Sequence, residues 1–228
     1  MHMDRRQFVK NLGLGTASLS MGSLVTASSC APSGDSSLKQ NVKEGEDGQF
    51  LFIGDDIAIA QTEYGKVQGY LLNHVYTFLG VPYGADTSGK NRFMPPQKPE
   101  PWTDVRPAVF YGNTAPQRME NRWPNNYGTF ADHWNYWDVS EDCLYLNVWT
   151  PGIADGKKRP VLVWLHGGGF TNGSGIEQDG YHGENISREG DIVFCSINHR
   201  LGPIGFSDLS GVGGEAYKDS GNVGMLDI

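Results

Sequence analysis

Three consecutive glycines are the residues of this sequence best suited to chemistry. They lie in the segment His166-Gly-Gly-Gly-Phe170, directly after an apolar run at residues 160–165. Because glycine has no Cβ, such a segment leaves backbone N–H groups uncovered and free to point into a cleft. Uncovered N–H groups have two common uses, which are binding phosphate and stabilising the oxyanion of a tetrahedral intermediate.

The known phosphate-binding motifs do not fit this segment. A P-loop ends in Gly-Lys-Ser/Thr, whereas Gly173 is followed by Ser174 without a lysine, and Asn172 stands where the third glycine of the dinucleotide motif belongs. His-Gly-Gly-Gly after a strand is instead the oxyanion motif of lipases and esterases. A flexible loop is the alternative, but loops rarely combine histidine, three glycines and phenylalanine after an apolar strand. The pattern therefore favours an oxyanion hole.

The elements around this segment predict an α/β fold. Leu144–Trp149 is a predicted strand, and the continuous apolar run Pro160–Leu165 predicts a strand buried on both faces. Tyr181–Arg188 is compatible with a short helix, and Ile192–Ile197 predicts a second fully buried strand. Buried strands separated by a glycine loop and a short helix are typical of the central sheet of an α/β domain.

The part of the chain before residue 140 predicts a smaller sheet and a long irregular segment. Ile57–Thr62, Lys66–Leu72 and Val75–Leu79 predict three short strands of a small antiparallel sheet at the edge of the larger domain. Residues 84–140 contain many prolines, which forbid long helices, and four of the six tryptophans. Because residues 84–140 are rich in aromatic side chains, we expect this segment to line a site or to pack on the core as a lid.

Composition excludes several classes of function. The formal charge is −8, from 18 basic and 26 acidic residues, which disfavours a surface for nucleic acid. No apolar run approaches the roughly 18 residues needed to span a bilayer. The sequence has no CxxC, HExxH or His/Cys ligand cluster, so we expect neither a metal site nor a cofactor.

The chain begins with a predicted export signal at residues 1–29, followed by a flexible linker at 30–49. The basic pair Arg5-Arg6 precedes a weakly apolar stretch, which fits the twin-arginine type of signal of a bacterium. Two cleavage sites are compatible with the sequence. Val25-Thr-Ala27 suits a signal peptidase, whereas Ala27-Ser-Ser-Cys30 resembles a lipobox, in which Cys30 would be lipidated. The protein is accordingly expected in the periplasm, secreted, or anchored to a membrane through Cys30.

A series of short motifs follows in residues 57–228. These motifs are Gly65–Gly69 (GKVQG), Phe78–Tyr83 (FLGVPY), Arg92-Phe93, Pro101-Trp102, Glu141–Pro151 (EDCLYLNVWTP), His166–Phe170 (HGGGF), Asn198–Gly202 (NHRLG), Gly205-Phe206 and Gly221–Asp227 (GNVGMLD). Together, and in this order, they resemble the type-B carboxylesterases, which include the cholinesterases and the bacterial p-nitrobenzyl esterases. His199 departs from the family, since tyrosine is commoner at its position.

The resemblance implies the N-terminal part of an α/β-hydrolase fold at residues 50–228, with the small antiparallel sheet and the first strands of the central sheet. It implies hydrolysis of small carboxylic esters by a serine nucleophile, without a cofactor. Gly168 and Gly169 would donate two oxyanion hydrogen bonds, while Phe170 and Trp134 would face the acyl or leaving group. For the two aromatic residues, plain packing is the alternative. The alternative for the whole protein is a non-catalytic relative that uses the fold for binding or adhesion.

The resemblance also implies two buried ion pairs and one free thiol. Arg92 with Glu141, and Arg200 with Asp227, look like the family's structural pairs, which position strands and take no part in catalysis. Cys143 is disulfide-bonded in many relatives, but Ala115 occupies the position of its partner here. We therefore expect Cys143 to be a free thiol.

The catalytic triad is expected outside the given residues. The family places its nucleophile in a G-x-S-x-G elbow beyond the GNxGLxD segment, and the acid and histidine later still. No G-x-S-x-G occurs in this chain. We expect residues 30–228 alone to be inactive, with the triad following Ile228. The sequence predicts neither the particular ester nor the oligomeric state.

Overall fold

The computed structural model describes residues 50–118 and 138–228. The predictions for the signal, the linker, Cys30 and Trp134 fall outside these residues. The strands are β1 Leu51–Phe52, β2 Ile59–Gln61, β3 Lys66–Gln68, β4 Tyr70–Leu72, β5 Val75–Pro82, β6 Arg106–Pro107, β7 Tyr145–Thr150, β8 Val161–Trp164 and β9 Val193–Ile197. The α-helices are α1 Glu184–Gly190, α2 Gly202–Phe206, α3 Ser210–Gly213 and α4 Val223–Leu226. Single 3₁₀ turns occur at Gly89–Asn91, Asp179–Tyr181, Glu215–Tyr217 and Ser220–Asn222.

Six strands form the main sheet, in the order β1-β4-β5-β7-β9-β8. Neighbouring strands are antiparallel except β8 and β9, which are parallel and are connected through helix α1. The long strand β5 lies near the middle of the sheet and is almost entirely buried. Helix α1 lies close to the sheet, where the Ser187 hydroxyl donates a 3.0 Å hydrogen bond to the Trp149 carbonyl. The predicted strands at 144–149 and 192–197 are thus present within one residue.

A second, small sheet contains β2, β3 and β6. Its first two strands are antiparallel, as predicted, but β6 joins β3 in parallel, and the third predicted strand belongs to the main sheet. The predicted strand 66–72 is divided at Gly69 into β3 and β4, which lie in different sheets. A Cβ at Gly69 would lie 2.0 Å from the Thr77 carbonyl oxygen. Only glycine allows β4 to approach β5 so closely at this crossing point.

Among the described residues, strand β8 is less buried than its composition predicts. The apolar run at 160–165 was expected to be buried on both faces, but its residues are exposed, from 38% at Leu162 and Trp164 to 64% at Val161. Within residues 50–118 and 138–228, β8 pairs with β9 on one side and has no strand on the other, so nothing in this part of the chain covers that side. Apolar composition predicts a strand of this type, whereas burial depends on which elements cover it.

Three clusters of buried side chains form the core. One lies beneath the small sheet and includes Val67, Phe78 and Ala108. The second, which contains Trp149 and Phe194, lies near helix α1. The third consists of Ala115, Cys143, Leu144 and Leu201. Within the described ranges, no helix is long and apolar enough to cross a membrane.

Candidate active site

The triple-glycine segment forms a tight turn directly after strand β8. Gly167, Gly168 and Gly169 are exposed, whereas His166 before them and residues 173–177 after them are buried. Gly168 has a φ of +121°, and Gly169 and Phe170 each have a φ of +62°. Positive φ is easily adopted by glycine and is uncommon for phenylalanine. The turn therefore favours glycine at positions 168 and 169 and holds Phe170 in a rarely used conformation.

Gly168 is the residue around which the turn closes. Its carbonyl oxygen accepts hydrogen bonds from the Thr171 N–H at 3.2 Å, the Asn172 N–H at 3.3 Å and the Thr171 hydroxyl at 2.9 Å. A Cβ at Gly168 would lie only 1.8 Å from the Asn172 carbonyl oxygen. No other residue type fits this position unless the turn opens.

The Gly168 and Gly169 N–H groups are the chemically important atoms of the turn. Neither donates a hydrogen bond to any group within residues 50–118 and 138–228. The space beside Gly169 is open, since a Cβ there would have no neighbour within 4 Å. Two adjacent exposed donors on a backbone turn can bind an oxyanion. A cleft of about 590 Å³ adjoins the turn and is lined by residues that include Thr171, Asn172 and Ile204.

His166 and His199 stack beneath the turn. Their ring centroids lie 5.0 Å apart, with an interplanar angle of 16°. His166 Nδ1 lies 2.8 Å from the Gly167 carbonyl oxygen, and His199 Nδ1 lies 3.0 Å from the Arg200 carbonyl oxygen. Because a carbonyl oxygen can only accept, each Nδ1 acts as the donor in its contact. The stacked pair contacts the turn through the His166 ring, which lies against the Gly167 carbonyl oxygen. Burial, followed by repulsion from His166, lowers the pKa of His199 from its usual 6.5.

This lowered pKa predicts a loss of stability at mildly acidic pH. Below pH 6.5 His199 binds a proton more readily in the unfolded chain than in the folded protein. The free energy of unfolding should therefore fall as the pH decreases from 6.5 toward the lowered pKa of the folded state. The slope contributed by one such group is at most about 1.4 kcal/mol per pH unit. His199→Phe keeps an aromatic ring in the stack and should flatten this slope in urea unfolding measured between about pH 7.5 and about pH 5.5. His182, whose pKa is also lowered by burial, remains in that variant and accounts for the residual slope. An unchanged slope would contradict the assignment to His199.

Phe170 projects from the turn toward solvent and toward helix α2. Its side chain is exposed, and its ring centroid lies 5.2 Å from that of Phe206. Its carbonyl oxygen accepts a 2.6 Å hydrogen bond from the Gly202 N–H, which ties the turn to the beginning of α2. Phe170 follows Gly169 directly in the chain, so it belongs to the turn that carries the two N–H donors. Trp134, the other predicted substrate contact, lies outside the described residues.

The two predicted ion pairs differ in burial. Arg200 and Asp227 form a fully buried bidentate pair, with Nη2–Oδ1 at 2.6 Å, Nε–Oδ2 at 2.9 Å and side chains at most 1% exposed. The Arg200 backbone N–H also donates to Asp227 Oδ2, and Arg200 Nη1 donates to the Met94 carbonyl oxygen. This arrangement joins the segment after β9 to helix α4 and to residue 94.

Arg92 and Glu141 also pair, with Nε–Oε2 at 2.7 Å, but at the surface. The Arg92 side chain is 48% exposed, so the expectation that this pair is buried was wrong. The reason is local. Arg92 follows the short 3₁₀ turn Gly89–Asn91, which has no buried residue. The pair connects this turn to the segment before β7 without entering the core.

Comparison with known proteins identifies the family. The model of the carboxylesterase family matches residues 56–228. The chain belongs to the carboxylesterase family. It is 40% identical over 172 residues to a para-nitrobenzyl esterase of Bacillus subtilis (strain 168), covering 74% of this chain and 32% of that protein. It is 45% identical over 157 residues to a phenmedipham hydrolase of Pseudarthrobacter oxydans, covering 69% of this chain and 30% of that protein.

Solved structures agree with the family assignment. A carboxylesterase of Geobacillus stearothermophilus has a TM-score of 0.64 and 39% identity, covering 75% of this chain and 32% of its own. An esterase of Clostridium hathewayi, described as able to hydrolyse aliphatic aromatic polyesters, has a TM-score of 0.69 at 39% identity, covering 78% and 34%. The fold is therefore that of the α/β-hydrolase carboxylesterases. The chain spans about a third of the length of the relatives that it matches.

In this carboxylesterase chain, Cys143 is a free and buried thiol, as predicted. It lies in the same core cluster as Ala115. Burial is the main cause that raises the pKa of Cys143 well above the usual thiol range. A buried, protonated thiol acts as a small apolar side chain and not as a nucleophile. In the part of the chain that the structure describes, no group of His, Cys, Asp and Glu side chains could hold a metal ion.

Two residues that hold the turn were missed by the sequence analysis. Gln117 forms two hydrogen bonds with Gly173 at the end of the turn. The buried Asn198 accepts a 2.7 Å hydrogen bond from the Gly175 N–H and donates one of 3.0 Å to the Asn113 carbonyl oxygen. Asn198 begins the NHRLG motif, whereas Gln117 lies outside the motifs that the sequence indicated. No local pattern indicates that a polar side chain will bond to backbone more than twenty residues away.

Proposed function

We propose that the protein containing this chain is a serine carboxylesterase that hydrolyses small-molecule esters. The observation that carries the proposal is the exposed turn after β8, whose Gly168 and Gly169 N–H groups have no acceptor within the described residues. Membership in the carboxylesterase family supports it. The chain matches only about a third of its relatives' length, and the triad is proposed to follow Ile228.

The proposed reaction has two steps around one oxyanion. A serine hydroxyl attacks the ester carbonyl carbon and loses its proton to a histidine, and the carbonyl oxygen becomes an oxyanion. Gly168 and Gly169 donate hydrogen bonds to it, and the residue after the serine supplies a third. Collapse of the intermediate expels the alcohol, which takes the proton from the histidine, and leaves an acyl-enzyme. Water then repeats the attack and releases the acid. Each preorganised donor contributes about 2.7–4 kcal/mol of transition-state stabilisation.

The proposed substrate binds beside the turn. Phe170 offers an exposed aromatic surface next to the two donors, and the adjoining cleft of about 590 Å³ is large enough for a small ester. We assign the acyl or leaving group to this region, with Trp134 as a further contact.

A serine-directed phosphonylating reagent tests the proposal. The protein expressed from its complete gene should hydrolyse p-nitrophenyl acetate and be inactivated by a p-nitrophenyl phosphonate with one label per chain. Mass spectrometry should place the label on a serine beyond Ile228, and residues 30–228 alone should show neither turnover nor labelling. A label on Ser174 would contradict the mapping of the site. Absence of both turnover and labelling in the complete protein would favour the non-catalytic alternative.

We further propose that the protein is exported through its twin-arginine segment and anchored by a lipid on Cys30. The support is the pair Arg5-Arg6 and the lipobox-like sequence that ends at Cys30. Metabolic labelling with a palmitate analogue should mark the wild-type protein and not Cys30→Ala. Equal absence of label in both proteins would instead support cleavage after Ala27.

A further inference from the structure

Gln117 clamps the backbone of one residue at the end of the oxyanion turn. Its side-chain Oε1 accepts a 2.7 Å hydrogen bond from the Gly173 N–H, and its Nε2 donates a 2.9 Å hydrogen bond to the Gly173 carbonyl oxygen. Nε2 also donates to the Ala115 carbonyl oxygen at 3.1 Å, which sets the orientation of the amide. One side chain thus satisfies both backbone groups of a residue 56 positions away.

Gly173 lies directly against the beginning of the turn. It is buried, its φ is +117°, and a Cβ there would lie 2.4 Å from both the Gly167 carbonyl oxygen and His166 Nδ1. The preceding carbonyl, that of Asn172, occupies the space where Gly168 would carry a Cβ. The position of Gly173 therefore determines how closely the two sides of the turn approach each other. It also determines where the Gly168 peptide lies.

Two other long-range hydrogen bonds hold the same turn at other points. The Phe170 carbonyl oxygen accepts from the Gly202 N–H at 2.6 Å, and the Gly175 N–H donates to Asn198 Oδ1 at 2.7 Å. Neither bond acts on Gly173. Among the described residues, only the Gln117 amide holds both backbone groups of Gly173.

We propose that Gln117 is a positioning residue for the oxyanion hole. By fixing Gly173 it keeps the Gly168 and Gly169 N–H groups aligned for the intermediate, without itself contacting the reacting atoms. The inference rests on the proposed esterase function, because it assigns a role in that reaction. It also connects the reaction to the cleft, since Gln117 lines the cleft together with Thr171 and Asn172.

The chemistry of the clamp requires a side chain that donates and accepts at once. Glutamine does both, whereas an ionised glutamate of the same shape only accepts. In Gln117→Glu the carboxylate would face the Gly173 carbonyl oxygen in place of a donor. Protonation of that carboxylate at lower pH restores a donor and hence the second hydrogen bond. A role limited to filling space would not produce this dependence.

The test uses the protein expressed from its complete gene, with p-nitrophenyl acetate as substrate. An aryl trifluoromethyl ketone, which forms a tetrahedral adduct with a serine, serves as transition-state analogue. Gln117→Ala should lower kcat about 10- to 100-fold, as expected for a misplaced catalytic group. Its affinity for the ketone should fall by a similar factor. KM should change less than about twofold. Gln117→Glu should show the same loss near neutral pH and recover relative to wild type as the pH falls. Gln97→Ala is the matched control: within residues 50–118 and 138–228 the Gln97 amide bonds only to the Pro95 carbonyl oxygen at the surface, so its kinetics should match wild type.

Two results would overturn the inference. One is loss of stability in Gln117→Ala with kcat and ketone affinity unchanged, which would make the clamp merely structural. The other is a raised KM with unchanged kcat, which would place Gln117 in substrate binding. If the wild-type protein neither turns over ester nor binds the ketone, the proposed function fails separately. Hydrogen exchange then tests whether Gln117 holds the turn. A peptide covering residues 166–175 should exchange faster in Gln117→Ala than in wild type, and equal rates would contradict the positioning role.

Discussion

Gly168→Ala is expected to lower kcat for p-nitrophenyl acetate by about 10²- to 10³-fold, the usual effect of losing one oxyanion donor. The added Cβ would lie 1.8 Å from the Asn172 carbonyl oxygen, at a φ of +121° that alanine rarely adopts. The turn must open to accommodate it, and opening moves the Gly168 and Gly169 N–H groups away from the oxyanion. Because the donors act on the transition state, KM should change much less than kcat.

Gly156→Ala is the matched control for backbone strain. Gly156 has a φ of +74° and open space around its Cα, but it lies in the connection before β8, at the opposite end of that strand from the turn. The control should lose about 1–2 kcal/mol of stability from the left-handed conformation and keep its kcat. If Gly168→Ala behaves like Gly156→Ala in both respects, the turn does not bind the oxyanion.

Removing one partner of the Arg200–Asp227 pair is expected to lower the free energy of unfolding by about 3–5 kcal/mol, because an uncompensated charge is left buried. The pair is bidentate and its side chains are at most 1% exposed, so water cannot replace the missing partner. Asp227→Asn and Arg200→Gln should both show the loss in urea unfolding of the complete protein. Replacing both residues together with apolar side chains should recover a large part of the lost stability.

The surface pair provides the comparison for this prediction. Glu141→Gln breaks the Arg92–Glu141 pair, in which the Arg92 side chain is 48% exposed, and should cost less than about 1 kcal/mol. Equal losses at the two pairs would show that burial does not determine their contribution. The sequence alone provides no reason to rank the two, since both were expected to be buried.

The features that the sequence predicted well are those with a local cause. Apolar and β-branched runs at 144–149 and 192–197 became β7 and β9, because each run is long enough to form a strand. The exposed backbone after β8 was predicted because three glycines have no Cβ to cover their N–H groups. Asn73 and His74, between β4 and β5, adopt the positive φ values that a tight hairpin requires.

The features that the sequence did not predict depend on distant neighbours. Gly69 divides one predicted strand between two sheets because β5 passes within contact distance of its Cα, and nothing near Gly69 in the sequence indicates this. Strand β8 has the composition of a buried strand, but within the described residues it lies at the sheet edge. Burial is a property of the covering elements, so composition could not decide it.

For the candidate site, the sequence by itself determined which backbone N–H groups are exposed. The tertiary structure decided which distant residues hold those groups in place. The His-Gly-Gly-Gly-Phe segment determines a turn with exposed N–H groups, because glycine lacks the Cβ that would cover them. Only the folded chain brings Gln117 to Gly173, Asn198 to Gly175 and His199 beneath His166. These contacts span at least 23 residues and depend on complementary hydrogen-bonding groups and on the stacking of rings. Neither the long-range hydrogen bonds nor the ring stacking leaves a periodic pattern in the sequence. The fold alone therefore determines which residues hold the turn.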